Sequence, residues 1–154
     1  MDWVHPAANT IEFFDIAGLV KGASTGEGLG NKFLSHIRNV DAIIHIVRCF
    51  KNEDVTHIDG DINPIRDIET INTELLLKDI ESIDKRIKNI AKIVKGRDKD
   101  SKKELELLEK ILQDLNKGNM IHDLKLDSMN LIKLKSLALL TSKPMIYVAN
   151  ISDT

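Results

Sequence analysis

The chain has 154 residues, 42% of them hydrophobic and 30% charged, with a formal net charge of -2. That composition supports one domain with a real core, excludes disorder over most of the length, and argues against a nucleic-acid binder driven by bulk charge. The one cysteine, Cys49, excludes an internal disulfide, and no apolar run is long enough to span a bilayer. With Asp2 and His5 and no apolar core, the first residues do not read as a signal peptide. The expectation is a soluble, cytoplasmic protein from a reducing compartment, with no membrane partner.

Residues Ile11 to Phe14 are apolar and read as a buried strand. Asp15-Ile-Ala-Gly18 follows at once, then a glycine-rich stretch to Gly30 with five glycines from Gly18 onward. A strand ending in an acid, with a glycine three residues on, has the shape of a nucleotide switch. Asp15 at the strand end can hold a magnesium ion, directly or through its water shell, and the Gly18 N–H can sense a γ-phosphate. Asp-x-x-Gly alone is a weak motif. The preceding strand and the glycine tail strengthen it. Lys21 and Ser24 can reach phosphate, although a solvated loop explains each as well. No Gly-x-x-x-x-Gly-Lys-Ser/Thr occurs anywhere in the chain.

Asn31 to Asn39 reads as a short helix with Phe33, Leu34 and Ile37 on one face. Ala42 to Val47 is a β-branched apolar run, expected as a central parallel strand. His45 within it reads as a core histidine with a satisfied ring nitrogen, and Cys49 just after it as a small buried residue. His57 sits in a polar loop beyond that strand. A solvated histidine is the plain reading; if the loop folds towards the switch, His57 can orient a water or act as a base. The histidines have no metal-ligand spacing.

From Asp67 to about Val94 one long helical pattern runs through Ile80, Ile83, Ile87, Ile90 and Val94, stepping by three and four. A charged link, Lys95 to Lys103, precedes a second stripe through Leu105, Leu108, Leu112 and Leu115, with Gly118 as its C-cap. Two such helices joined by a short polar link are expected to fold back as an antiparallel coiled-coil hairpin. The alternative is two ordinary amphipathic helices packed on a globular core; the narrow stripes and charged outer faces favour the hairpin. A third helix, about Met129 to Leu140, returns the chain to a last strand, Pro144 to Ala149. Asn150-Ile-Ser-Asp153 follows directly, where open α/β sheets bind ligands. There the Asn150 amide can brace loops and the Asp153 carboxylate can accept hydrogen bonds from a base edge.

Taken together, the segments Ile11–Ser24, Gly26–Arg38, His45–Phe50, Asp67–Leu75 and Lys143–Asn150 resemble the Obg-like ATPase (YchF) subfamily of P-loop proteins. The resemblance covers nearly the whole chain after about Thr10, and the run from Asp15 to Arg38 is its most specific part. It implies an α/β fold, an incomplete Ras-like P-loop NTPase sheet with an inserted antiparallel helical coiled-coil hairpin. Residues 1–66 and 128–154 then form a partial nucleotide-binding domain and residues 67–127 the helical insertion. It implies magnesium-dependent hydrolysis of ATP or GTP, with ATP preferred in much of the subfamily, and association with ribosomes. Asp15 matches the magnesium-linked acid, Gly18 the γ-phosphate sensor, and His57 the loop histidine proposed to position water. Leu19 falls where Ras-like GTPases place a glutamine. Asn150 matches the first residue of the base motif, which usually ends in Glu where this chain has Asp153.

The sequence departs from the family in lacking the first strand with its phosphate loop, the first switch segment, and everything beyond Thr154, including the TGS domain. It is therefore expected to be an internal fragment, a split-gene product or a degenerate remnant. A gap in the sheet beside Ile11 and very weak nucleotide binding by the chain alone are expected with it. A second, non-enzymatic reading is a module that docks on a ribosome or protein through the hairpin. Its basic residues Lys85, Arg86, Lys88, Lys92, Lys95, Arg97, Lys99, Lys102 and Lys103 would contact RNA phosphates, diluted by Asp84, Asp98 and Asp100.

Overall fold

The computed structural model describes residues 11–15, 36–51, 62–93 and 99–152. Two strands, β1 (Ile43–Arg48) and β2 (Met145–Asn150), form a parallel pair in the register Ile43–Met145 through Arg48–Asn150. Parallel strands need a long crossover, and here helices supply it. They are α1 (Pro64–Ile93), α2 (Lys99–Asn116) and α3 (Ser128–Lys135), with 3-10 turns at Ile121–Asp123 and Leu140–Ser142. The chain is therefore α/β.

Both strands lie within a residue of the apolar runs that predict them, and parallel pairing is observed. The run Ile11 to Phe14 behaves differently: it forms no strand, and Ile11, Phe13 and Phe14 are 79%, 77% and 65% exposed. Apolar character does not make a strand without a ladder to join, and no strand among the described residues pairs with this segment. Cys49 is also exposed rather than buried, because it follows the last ladder residue of β1.

Local chemistry sets the helix bounds. Asn63 is the N-cap of α1: its Oδ1 accepts the Arg66 N–H at 3.1 Å, and Pro64 occupies the first helical position, where a missing N–H does no harm. The boundary at residue 67 thus falls inside the first turn of α1. α2 ends in a Schellman motif. Gly118, at φ 86°, donates to the Leu115 carbonyl and Asn119 to the Asp114 carbonyl, at 2.9 and 3.1 Å. α3 is shorter than its periodicity suggests. Asp127 caps its start through the Asn130 N–H at 2.8 Å, and the chain leaves the helix at Ser136 before Ala138 takes a φ of 46°.

The interior divides into two clusters threaded by α1. Its first half places Leu75 and Ile71 against Leu140, Ile37, Ile43 and Met145. Further along, Ile83 and Ile90 pack with Leu108, Ile111 and Leu115 of α2 and with Ile121, Leu134 and Leu139. Each fully buried Leu or Ile contributes about 1.5–3 kcal/mol. Arg86 of α1 and Glu104 of α2 form an ion pair at 2.7 Å across the seam.

Among the described residues the sheet is covered on one side. Tyr147 Oη donates to Asn72 Oδ1 of α1 at 3.1 Å, and Val47 is buried on that same face. On the other face Ile44, Ile46, Ile146 and Val148 are 46%, 65%, 57% and 42% exposed. Strand alternation puts all four side by side.

Candidate functional site at the strand ends

Because the strands are parallel and in register, their carboxyl ends open on the same side. Arg48 and Cys49 end β1, Asn150 ends β2, and the Cys49 N–H donates to the Asn150 carbonyl at 2.8 Å. The Asn150 backbone is thus fixed by the ladder while the residue remains exposed. Its amide side chain, with two donors and one acceptor group, is available to loops or a ligand beyond the sheet. Arg48 turns back on its own chain: its Nε donates to the Phe50 carbonyl at 3.1 Å and its guanidinium lies 4.9 Å from the Phe50 ring centroid. That contact holds the first residues after β1.

Asp15 is described and exposed. Gly18, His57 and Asp153 lie outside the described residues, as do Lys21, Ser24 and Leu19. Of the expected site, the strand ends bring Asn150 beside Arg48 and Cys49, and Asp15 stands in a segment that no strand holds. Among the described residues no group of three or more His, Cys, Asp or Glu could hold a metal ion. The donor set fits magnesium in one respect: Asp15 offers a hard, exposed carboxylate, and Mg²⁺ is commonly held by one or two carboxylates with waters and substrate phosphates.

His45 corrects an expectation. Its ring stacks at a tilt on Tyr147, with centroids 5.6 Å apart, but its buried Nδ1 has no hydrogen-bond partner among the described residues. Burial pushes its pKa below the ordinary imidazole value, against an opposing pull from the Asp67 charge.

Three polar residues that the sequence reading did not single out organise the entry to β2. Asp79 is fully buried and accepts the Leu140 N–H, the Thr141 N–H and the Thr141 hydroxyl at 2.8, 2.8 and 2.7 Å. It thereby caps the 3-10 turn that leads into the strand. Burial pushes its carboxyl above the ordinary range, opposed by those hydrogen bonds and by the Arg38 charge. Lys143 Nζ donates to the carbonyls of Arg38 and Val40. Arg38 in turn donates to Ser82 Oγ at 3.3 Å. Asp79 was findable: it stands four residues from both Leu75 and Ile83, inside the apolar stripe of α1, where an acid requires partners.

An open groove of about 310 Å³ lies elsewhere, lined by Arg86, Asp100, Ser101, Glu104, Lys133 and Ser136. It belongs to the helices and not to the strand ends.

Comparison with known proteins points one way. Residues 2–150 match the family model described as 50S ribosome-binding GTPase. The chain is 54% identical over 144 residues to the ribosome-binding ATPase YchF of Pasteurella multocida, covering 94% of this chain and 40% of that protein. It is 51% identical over 142 residues to the Bacillus subtilis protein of the same name, covering 92% and 39%. With the Obg-like ATPase 1 of Saccharomyces cerevisiae it shares 46% identity over 153 residues, covering 96% and 38%. Among solved structures, the YchF GTPase of Schizosaccharomyces pombe superposes with a TM-score of 0.76 at 44% identity, over 91% of this chain and 39% of that one. The chain thus spans about 40% of the length of the curated relatives it matches.

Proposed function

The chain belongs to the 50S ribosome-binding GTPase family, in its YchF and Obg-like branch, and from that premise we propose that it carries the switch and base-reading portion of a magnesium-dependent nucleoside triphosphatase. The proposed reaction is attack of water on the γ-phosphorus of ATP or GTP. The bond to the β–γ bridging oxygen breaks, releasing inorganic phosphate and the nucleoside diphosphate. In this reading Asp15 holds the water shell of the magnesium ion and the Gly18 N–H binds the γ-phosphate. His57 orients the attacking water, and Asn150 with Asp153 reads the base. ATP is the proposed preferred nucleotide, the ribosome the proposed partner and the cytoplasm the proposed compartment. Residues 67–127 are proposed as a coiled-coil insertion that projects from the nucleotide domain.

The observation that carries the reading is the 54% identity extending through 94% of the chain to a ribosome-binding ATPase. The phosphate loop supplies most contacts to the β- and γ-phosphates in this class of enzyme. Its motif is absent from these 154 residues, so the chain on its own is expected to bind magnesium-ATP or magnesium-GTP only at millimolar levels and to hydrolyse neither. Titration calorimetry tests this. Micromolar binding, weakened by Asp15→Ala, would mean that the phosphate contacts come from within this chain, and the preferred base would then report what Asp153 does.

A second reading rests on a different observation. Lys85, Lys88 and Lys92 of α1 and Lys99, Lys102 and Lys103 of α2 are all exposed. Such a surface suits RNA phosphates, and RNA affinity falling steeply with salt would favour it.

A further inference from the structure

The segment that follows the glycine-rich run is held by two other parts of the fold. Residues 36–38 are helical, and Ile37 is 2% exposed, packed with Leu75 of α1 and with Leu140 of the turn before β2. The Arg38 and Val40 carbonyls both accept from Lys143 Nζ, also in the lead-in to β2. Arg38 sends its guanidinium the other way, to Ser82 Oγ of α1, and its buried Nε has no hydrogen-bond partner among the described residues. Asp79, three residues before Ser82, binds Leu140 and Thr141. Among the described residues, the polar attachments of Arg38, carbonyl and guanidinium, therefore lead to α1 or to the approach to β2. Neither leads to the sheet itself.

We infer that Arg38 is a positioning residue coupling residues 36–40 to α1, so that a displacement of that segment moves α1 and the α2 packed along it. The physical basis is the stiffness of what Arg38 grips. α1 is one unbroken helix of 30 residues, and the part beyond Ser82 reaches roughly 16 Å further at about 1.5 Å per residue. The Arg38 guanidinium donates through one nitrogen to the Ser82 hydroxyl, a planar, directional donor that a compact ammonium does not reproduce. Ile37, packed with Leu75 of α1, reinforces that link, and Lys143 on two carbonyls ties the same segment to the approach to β2. The consequence for nucleotide sensing rests on the reading of Asp15 to Gly30 as a switch; the coupling itself does not.

Amide hydrogen exchange on the 154-residue chain, with no nucleotide present, tests the coupling, so its outcome is independent of whether the switch reading holds. Arg38→Ala is expected to raise exchange between residues 76 and 90 on the order of fivefold. Ser82→Ala, which removes a single oxygen, is expected to raise exchange at residues 36–40 in return. At residues 36–40 the double variant should be no worse than the more affected single variant, since the Arg38–Ser82 bond is lost in both and the Ser82 hydroxyl's other bond, to the Lys78 carbonyl, stays within α1. Arg38→Lys should restore little of the protection. Changes confined to each mutated segment, or additive effects in the double variant, would overturn the inference. Should Arg38→Ala fail to fold, Ser82→Ala decides alone: unchanged exchange at residues 36–40 overturns it.

Discussion

A carboxylate with no access to water is the most consequential single residue in this fold. Asp79 sits on α1 yet serves a turn some sixty residues later, where it satisfies two backbone N–H groups and a hydroxyl. Asp79→Ala removes the acceptor of all three donors, the two N–H groups being buried, so it should destabilise the chain by about 3 kcal/mol. Asp79→Asn keeps one acceptor and the shape, and should lose roughly half as much. Burial raises the native carboxyl above its ordinary value, so the folded chain holds that proton more tightly than the unfolded chain does. The stability this group adds is then full below its ordinary value of 3.8 and declines as pH rises through the native value. Denaturant titrations of the wild type and Asp79→Asn should therefore show a gap that narrows from acid towards neutral pH. A gap that widens would mean the hydrogen bonds outweigh burial.

Elements were legible where local rules agree with tertiary demands. The stripe through Ile80, Ile83, Ile87 and Ile90 gave α1, and Gly118 marked the end of α2, because periodicity and capping are written in neighbouring residues. Exposed helix ends test such rules cleanly. Gly118 holds a φ of 86° with nothing within 4 Å of where a Cβ would stand. Gly118→Ala should thus meet no clash and lose only the left-handed penalty of about 1 kcal/mol, measurable as a fall in denaturation midpoint at constant slope. Ile11 to Phe14 and α3 were misread for the opposite reason. The first needs a ladder partner that its own residues cannot announce, and the second stops at Ser136, ahead of the positive φ at Ala138, although its apolar pattern runs on. The site was legible at Asp15 and Asn150 as chemistry, while the Arg38, Asp79 and Lys143 contacts join residues 44 to 105 positions apart and leave little trace in local pattern.

At the scale of the whole molecule, the uneven cover of the sheet dominates. One face is packed under α1, while Ile44, Ile46, Ile146 and Val148 stand together on the other. A contiguous apolar face of this kind favours association. Ile46→Lys with Ile146→Glu places opposite charges at neighbouring positions on that face, and should suppress light scattering at high concentration while changing the unfolding midpoint little. A loss of folding on this double change would instead mean that the face is internal to a core. The helical half raises a different matter, that of length. α1 takes part in both hydrophobic clusters, and its distal stripe repeats every seven residues. Matched additions of seven residues to α1 and α2, made beyond Ile90, should keep the register of the seam, whereas removals there would delete Ile90 from the core. The same change near Leu75 would carry Asp79 and Ser82 about 10 Å along the helix axis, away from their partners. Length is thus fixed wherever a residue of α1 answers to a partner far along the chain, as Asp79 and Ser82 do, and it can vary by whole heptads only where the facing helix is the partner.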